Sequence, residues 1–164
     1  MFLSEHWLTP HKVSVFSNRF NGNNMRMNMK YNIDPDSVLI VRPHGGIGFI
    51  GNRVDGIVYK PVSADNDRIC GVQLISNGKI ILTVFGVYVP YYKGTSEQIQ
   101  HYSETLDILQ STLDTMQPSP VLIVGDMYTV LPRQRDLARR GHSSYPFNTN
   151  SYMLYDFLLT MILH

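Results

Sequence analysis

Three polar side chains stand where apolar runs end: Glu5 after Met1-Phe2-Leu3, Tyr88 at the close of the run that begins at Lys79, and Asp126 after Val121-Leu122-Ile123-Val124-Gly125. Strand ends are where open sheets present functional groups. Two carboxylates in such places suit a hard divalent cation such as Mg²⁺, which takes oxygen donors, keeps several waters and needs only one or two protein carboxylates. Taken singly, each acid reads more readily as a solvated loop residue. A site requires that the three ends converge on one rim of the folded sheets, close enough to share a divalent ion and a phosphate.

The remaining polar residues say less. His11, His44, His101 and His142 show no metal-ligand spacing, so no zinc site is expected. His164 ends the chain in Ile-Leu-His with no orienting acid before it and reads as a solvated terminal residue. Arg133, Arg135, Arg139 and Arg140 form a basic cluster, which fits either a solvated loop or a contact to DNA phosphates. A formal net charge of +1 gives no global attraction to nucleic acid, so any such contact must be local. The single Cys70 excludes an intrachain disulfide framework and fits a reducing compartment; it reads as a small core residue.

The elements that would position these groups follow from periodicity. Hydrophobic residues at 43% and charged residues at 16% suit a globular chain, and 164 residues suit one domain. The start Met1 to Leu8 reads as a strand running out into a loop, and Asn18 to Asn32, rich in Asn, as a loop or irregular helix. Val38-Leu39-Ile40-Val41 and Ile47-Gly48-Phe49-Ile50 flank a Pro- and Gly-containing reversal. The runs Ile69–Ile75 and Lys79–Tyr88 join through Ser76-Asn77-Gly78, and Asn-Gly is a strong hairpin signal. Ile99, Tyr102, Leu106, Leu109, Leu113 and Met116 place one apolar stripe along a helix that Pro118 and Pro120 stop. Val121–Val124 then predicts a strand buried on both faces, and Leu154, Phe157, Leu158, Met161 and Ile162 a second amphipathic helix. Strands before and after a long helix, with a hairpin between, make a layered α/β or α+β sandwich. No apolar run reaches the roughly 18 to 20 residues of a membrane span. Glu5 and His6 interrupt the start before it forms a secretory signal, so an intracellular protein is expected, not a secreted or membrane one.

Six ordered segments carry a resemblance. Ser4-Glu5-His6-Trp7-Leu8 is similar to the Gln-Glu-His-Trp-Leu signature of the endonuclease domains of non-LTR retrotransposons, within the exonuclease-endonuclease-phosphatase superfamily. Arg42 to Gly48 resembles their Gly-rich strand entry, and Asp67 to Leu74, DRICGVQL, their next sheet strand. Val87-Tyr88-Val89-Pro90 looks like their Tyr-containing strand end, Val121 to Pro132, VLIVGDMYTVLP, like their Gly-Asp-Phe-Asn segment, and Ser151 to Leu158 like the helix that follows. The resemblance implies two mostly antiparallel β-sheets flanked by helices, and hydrolysis of a phosphodiester in a DNA duplex with Mg²⁺ or Mn²⁺. It implies Glu5 as the metal ligand, Asp126 as the residue that orients or deprotonates the attacking water, and Tyr88 as a hydrogen-bond donor to the phosphate. His6 and Tyr128 are implied to stand around that site, and a nuclear location if the substrate is chromosomal DNA.

The departures shape what is expected. Tyr128 stands where the resembled motif has Asn, and a phenol lacks the amide's paired donor and acceptor. The family's opening strand, its downstream Asp-bearing strand and its terminal Ser-Asp-His have no counterpart, so an incomplete domain is expected. Catalytic groups that act as a unit fail together, so low or absent activity is expected of this chain. Unpaired sheet edges would favour aggregation or oligomerisation. Two alternatives stay open: a folded, noncatalytic remnant with weak or no DNA binding, and a phosphatase branch of the same superfamily.

Overall fold

A computed structural model describes residues 1–4, 10–21, 25–30, 46–89, 95–129 and 149–163. They group into two compact units, one comprising Met1–Tyr88 with Thr115–Asp126 and the other Val89–Asp114 with Met127–His164. Among the described residues no helix is long and apolar enough to cross a membrane.

Among the described residues the first unit holds seven strands in two sheets: β1 (Phe2–Ser4), β2 (Met25–Lys30) and β3 (Ile47–Asn52) in the order β1-β3-β2, and β4 (Ile57–Val62), β5 (Ile69–Ser76), β6 (Lys79–Tyr88) and β7 (Val121–Asp126) in that order. Helix α1 (Pro10–Asn21) belongs to the same unit and contacts β2. All neighbours are antiparallel except β6 and β7, which run parallel. The expected mixture of two mostly antiparallel sheets with helices is therefore the fold observed.

The β5–β6 hairpin forms as its turn chemistry requires. Asn77 and Gly78 both take left-handed backbone angles, with φ of 49° and 73°, which a tight turn between right-twisting strands demands and which Asn and Gly tolerate. A register irregularity at Leu74/Ile75 bends the hairpin near this turn. From there Ile69 pairs with Val87, Gly71 with Phe85 and Gln73 with Thr83. Ile69, Cys70, Phe85 and Val87 are fully buried, Cys70 as the small core residue its type suggests.

The two sheets face each other through β1 and β3, which contact β5, β6 and β7. Phe2 and Phe49, paired across β1 and β3, stack with ring centroids 5.5 Å apart. The Phe2 ring lies directly on Gly86 of β6, where a Cβ would collide with it. Glycine at 86 thus lets one aromatic ring bridge the layers, and a larger residue there would force them apart.

Two parts of the sequence reading need correction. The Asn-rich stretch read as a loop or irregular helix contains the end of α1 and all of β2. Met25, Met27 and Met29 alternate with Arg26, Asn28 and Lys30, a period of two that pairing with β3 converts into a strand despite residues of modest β-propensity. The strand read as buried on both faces, β7, lies at the end of its sheet's strand order, with Val121 and Leu122 at 38% and 47% exposure. Consecutive residues point to opposite faces, so exposure of both Val121 and Leu122 leaves neither face of the strand's start covered, and among the described residues β7 has a strand neighbour on one side alone. β4 was not anticipated; Pro61 sits in it, tolerated because β4 occupies the other edge. Val38–Val41 and the reversal before Gly46 lie outside the described residues.

In the second unit, α2 (Ser96–Asp114) contacts α3 (Thr149–Leu163). The predicted stripe is the buried face of α2, with Tyr102, Leu106 and Leu109 covered and Ile99 and Leu113 half-covered. Leu154 and Phe157 are the covered positions of α3, and the Ser151 hydroxyl shares a 2.8 Å hydrogen bond with Thr129. Among the described residues the buried Tyr102 hydroxyl has no hydrogen-bond partner, and burial pushes its phenol well above the ordinary tyrosine range. An unpaired buried hydroxyl costs about 1–3 kcal/mol. Tyr102→Phe is expected to gain about 1 kcal/mol near neutral pH in denaturant titration. The folded state disfavours the phenolate, so stability tied to this group is intact below the unfolded tyrosine pKa of about 10 and falls as pH climbs from there toward the raised folded value. The wild type should lose stability more steeply than Tyr102→Phe above pH ~10; parallel profiles would contradict this account.

Candidate functional site at the end of the parallel strand pair

A parallel pair of strands needs a long crossover, and the segment containing α2 supplies it between β6 and β7. The register that results is Thr83 with Val121, Phe85 with Ile123, Val87 with Gly125 and, at the last position, Tyr88 with Asp126. The entry to β7 is tied by the Thr83 N–H, which donates to the Pro120 carbonyl at 2.8 Å, and by a 3.0 Å hydroxyl pair between Thr83 and Ser119. Register partners on neighbouring strands project from the same face, with backbones about 4.8 Å apart. Tyr88 and Asp126 therefore stand side by side at the carboxyl end of both strands.

Which face they occupy follows from alternation. Gly86, two residues before Tyr88, carries the Phe2 ring, so the Tyr88 side of β6 is the side turned to β1. Asp126 shares that side through the register, and β1 contacts both β6 and β7. Asp126 is exposed and Tyr88 half-buried. Gly125 makes the junction close: a Cβ there would run into the Val87 carbonyl. The Gly-Asp order is thus a steric requirement, with the small residue at the tight approach and the acid one step beyond it.

A cation that sequence reading left unassigned completes the row. The Arg68 carbonyl accepts the Tyr88 N–H at 2.9 Å, and the Arg68 guanidinium carbon lies 6.0 Å from the centroid of the Tyr88 ring. Arg68, Tyr88 and Asp126 thus follow one another across the ends of three neighbouring strands. Arg68 was legible in principle, because the hairpin register that pairs Ile69 with Val87 brings the preceding residue next to Tyr88.

The other predicted residues fall elsewhere. Glu5, His6, Arg133, Arg135, Arg139 and Arg140 lie outside the described residues. Tyr128 belongs to the second unit, is half-buried, and takes a φ of 42°, a left-handed conformation that Asn adopts far more readily than an aromatic residue. Among the described residues no three His, Cys, Asp or Glu side chains cluster as a metal site. The donor chemistry at the rim still fits a hard cation, since Asp126 offers exposed carboxylate oxygen and Mg²⁺ needs one or two such ligands. A cavity of about 690 Å³ also lies between the sheets, lined by residues such as Phe49, Ile57, Val72, Leu74 and Val84. Neither Tyr88 nor Asp126 lines it, and its walls are mainly aliphatic and aromatic.

No family model matches the chain, and no curated protein matches it. Twelve solved chains do. One is the human Nocturnin catalytic domain, solved with a bound sulfate anion, which superimposes with a TM-score of 0.53 at 15% identity over 93% of this chain. The chain spans 59% of the length of that domain. The likeness shows a shared fold.

Replacing Gly125 by Ala is expected to destabilise the protein by about 1–3 kcal/mol, because the new methyl meets backbone and not a yielding side chain. Chemical denaturation measures it, and an unchanged midpoint would show that β7 does not approach β6 as closely as described.

Proposed function

We propose that this chain is a metal-dependent phosphodiester hydrolase of the exonuclease-endonuclease-phosphatase type, of the DNA-nicking branch carried by non-LTR retrotransposons, with turnover limited by Tyr128. The observation that carries this reading is the pairing of Tyr88 with Asp126 at the ends of adjacent parallel strands, with Arg68 alongside. The six ordered motifs support it, as does the fold shared with the Nocturnin catalytic domain, in which a sulfate anion is bound.

Each group has a task its chemistry suits. The exposed Asp126 carboxylate accepts a hydrogen bond from water and, as a base, takes its proton as the oxygen attacks phosphorus. Tyr88 donates its hydroxyl proton in a hydrogen bond to a non-bridging phosphate oxygen, where negative charge builds in the transition state. Glu5, by its motif, would hold a divalent ion, which would supply charge neutralisation at the phosphoryl group and the leaving oxygen. Tyr128 occupies the position of the resembled Asn without an amide to orient either water or phosphate. A folded remnant without catalysis is the second reading, and Tyr128 is the observation that favours it.

Nicking of supercoiled plasmid in Mg²⁺ tests the proposal. The wild type is expected to nick slowly, Asp126→Asn not at all, and Tyr128→Asn about tenfold to hundredfold faster than the wild type, the range over which one positioned donor acts. No nicking by the wild type or by Tyr128→Asn would leave only the noncatalytic reading, whereas rapid nicking by the wild type would remove the role given to Tyr128. Metal retention is separable from turnover. At a hundredfold excess over Kd, Mg²⁺ should stabilise the chain by about 2.7 kcal/mol, or roughly 5–10 °C in Tm, and Glu5→Gln should abolish the shift. An equal shift in Glu5→Gln would take the ion away from Glu5.

A further inference from the structure

We propose that Arg68 is a positioning residue for the Tyr88 phenol, holding the ring by its guanidinium and the backbone by its carbonyl; the catalytic consequence rests on Tyr88 being the phosphate-facing group proposed above. Tyr88 is the last residue of β6 and is half-buried. Arg68, the residue just before β5, meets both its backbone and its ring.

Its own placement is fixed first. The Arg68 N–H donates to the Asn66 side-chain oxygen at 2.7 Å, and the Ile69 N–H reaches the Asn66 carbonyl at 3.4 Å, so a side-chain-closed turn sets the backbone at 66–69. From that turn the Arg68 carbonyl takes the Tyr88 N–H at 2.9 Å, extending the ladder one residue beyond the Ile69–Val87 pair. The guanidinium then stands 6.0 Å from the Tyr88 ring centroid, the outer reach of a cation-π contact. Both residues are half-buried, which limits screening of the charge by water.

Two consequences follow. The ring is biased toward the side-chain well that faces the guanidinium, which fixes where its hydroxyl points along the rim. A permanent positive charge also stands beside the group that meets the phosphate, and guanidinium, planar and weakly hydrated, can stack on an aromatic face where an ammonium acts only as a point charge.

Tyrosine labelled with ¹³C in the ring reads the contact without any need for turnover, with the Tyr88 resonance assigned by its loss in Tyr88→Phe. In Arg68→Met the Tyr88 resonance is expected to shift and broaden, with the other nine of the ten tyrosines unmoved. The Tm should change little, because the carbonyl contact remains. Arg68→Lys should return part of the shift. In single-turnover nicking, Arg68→Met should slow the reaction about threefold to tenfold, the equivalent of one cation-π contact, and less than about twofold when Tyr88 is already Phe. An unmoved Tyr88 resonance in Arg68→Met, or the same rate loss with and without the Tyr88 hydroxyl, overturns the proposal. A responsive resonance in a chain that nicks no DNA upholds the contact and overturns the hydrolase reading instead.

Discussion

The parallel seam between β6 and β7 is the constraint on which the rest depends. Antiparallel pairing elsewhere in the molecule brings the end of one strand beside the start of the next, so two carboxyl-terminal ends cannot meet there. Only a parallel pair sets two such ends together. Here the pair is in a register that leaves Tyr88 and Asp126 as the final partners. A shift of one residue would send one of them to the opposite face, because side chains alternate along a strand. The register is held at the entry by the contacts of Thr83 with Ser119 and Pro120, and near the exit by the close approach of Gly125 to Val87.

The second sheet matters through the face it covers. With Phe2 seated on Gly86, β1 is committed to the same side of β6 from which Tyr88 projects. The chain that follows β1 in sequence begins with Glu5. A missing side chain at 86 and a missing side chain at 125 therefore serve one end: the first lets a neighbouring sheet come down on the strand, the second lets a neighbouring strand come in beside it.

How much of this was legible in the sequence differs by element, for physical reasons. Asn77-Gly78 and the spaced apolar residues of α2 are local signals, set by backbone angles and by one helix period, and both elements appear where those signals lie. β2 and β4 were harder. Met25–Lys30 alternates correctly but is built from residues without strong strand preference, and Pro61 argues against a strand except at an edge, a fact of topology that no window of sequence contains. The same holds for the burial of β7, where four consecutive apolar residues look like a core strand but lie at the margin of the sheet. In the candidate site, Tyr88 and Asp126 were marked by their positions at the ends of apolar runs. Arg68 was not, because its nearness to Tyr88 is a product of hairpin register across some twenty residues and of a turn closed by Asn66.

The crossover that makes the seam also sets when it can form. The β5–β6 hairpin closes over a two-residue turn and needs little chain entropy, whereas β6 meets β7 only after the whole stretch from 89 to 120 has been looped back. The acid and the phenol are thus brought together across a far longer stretch of sequence than the hairpin's two-residue turn. Along the described part of β7, a single strand holds that contact. Loop closure alone therefore favours opening of the seam before the hairpin under mild denaturation.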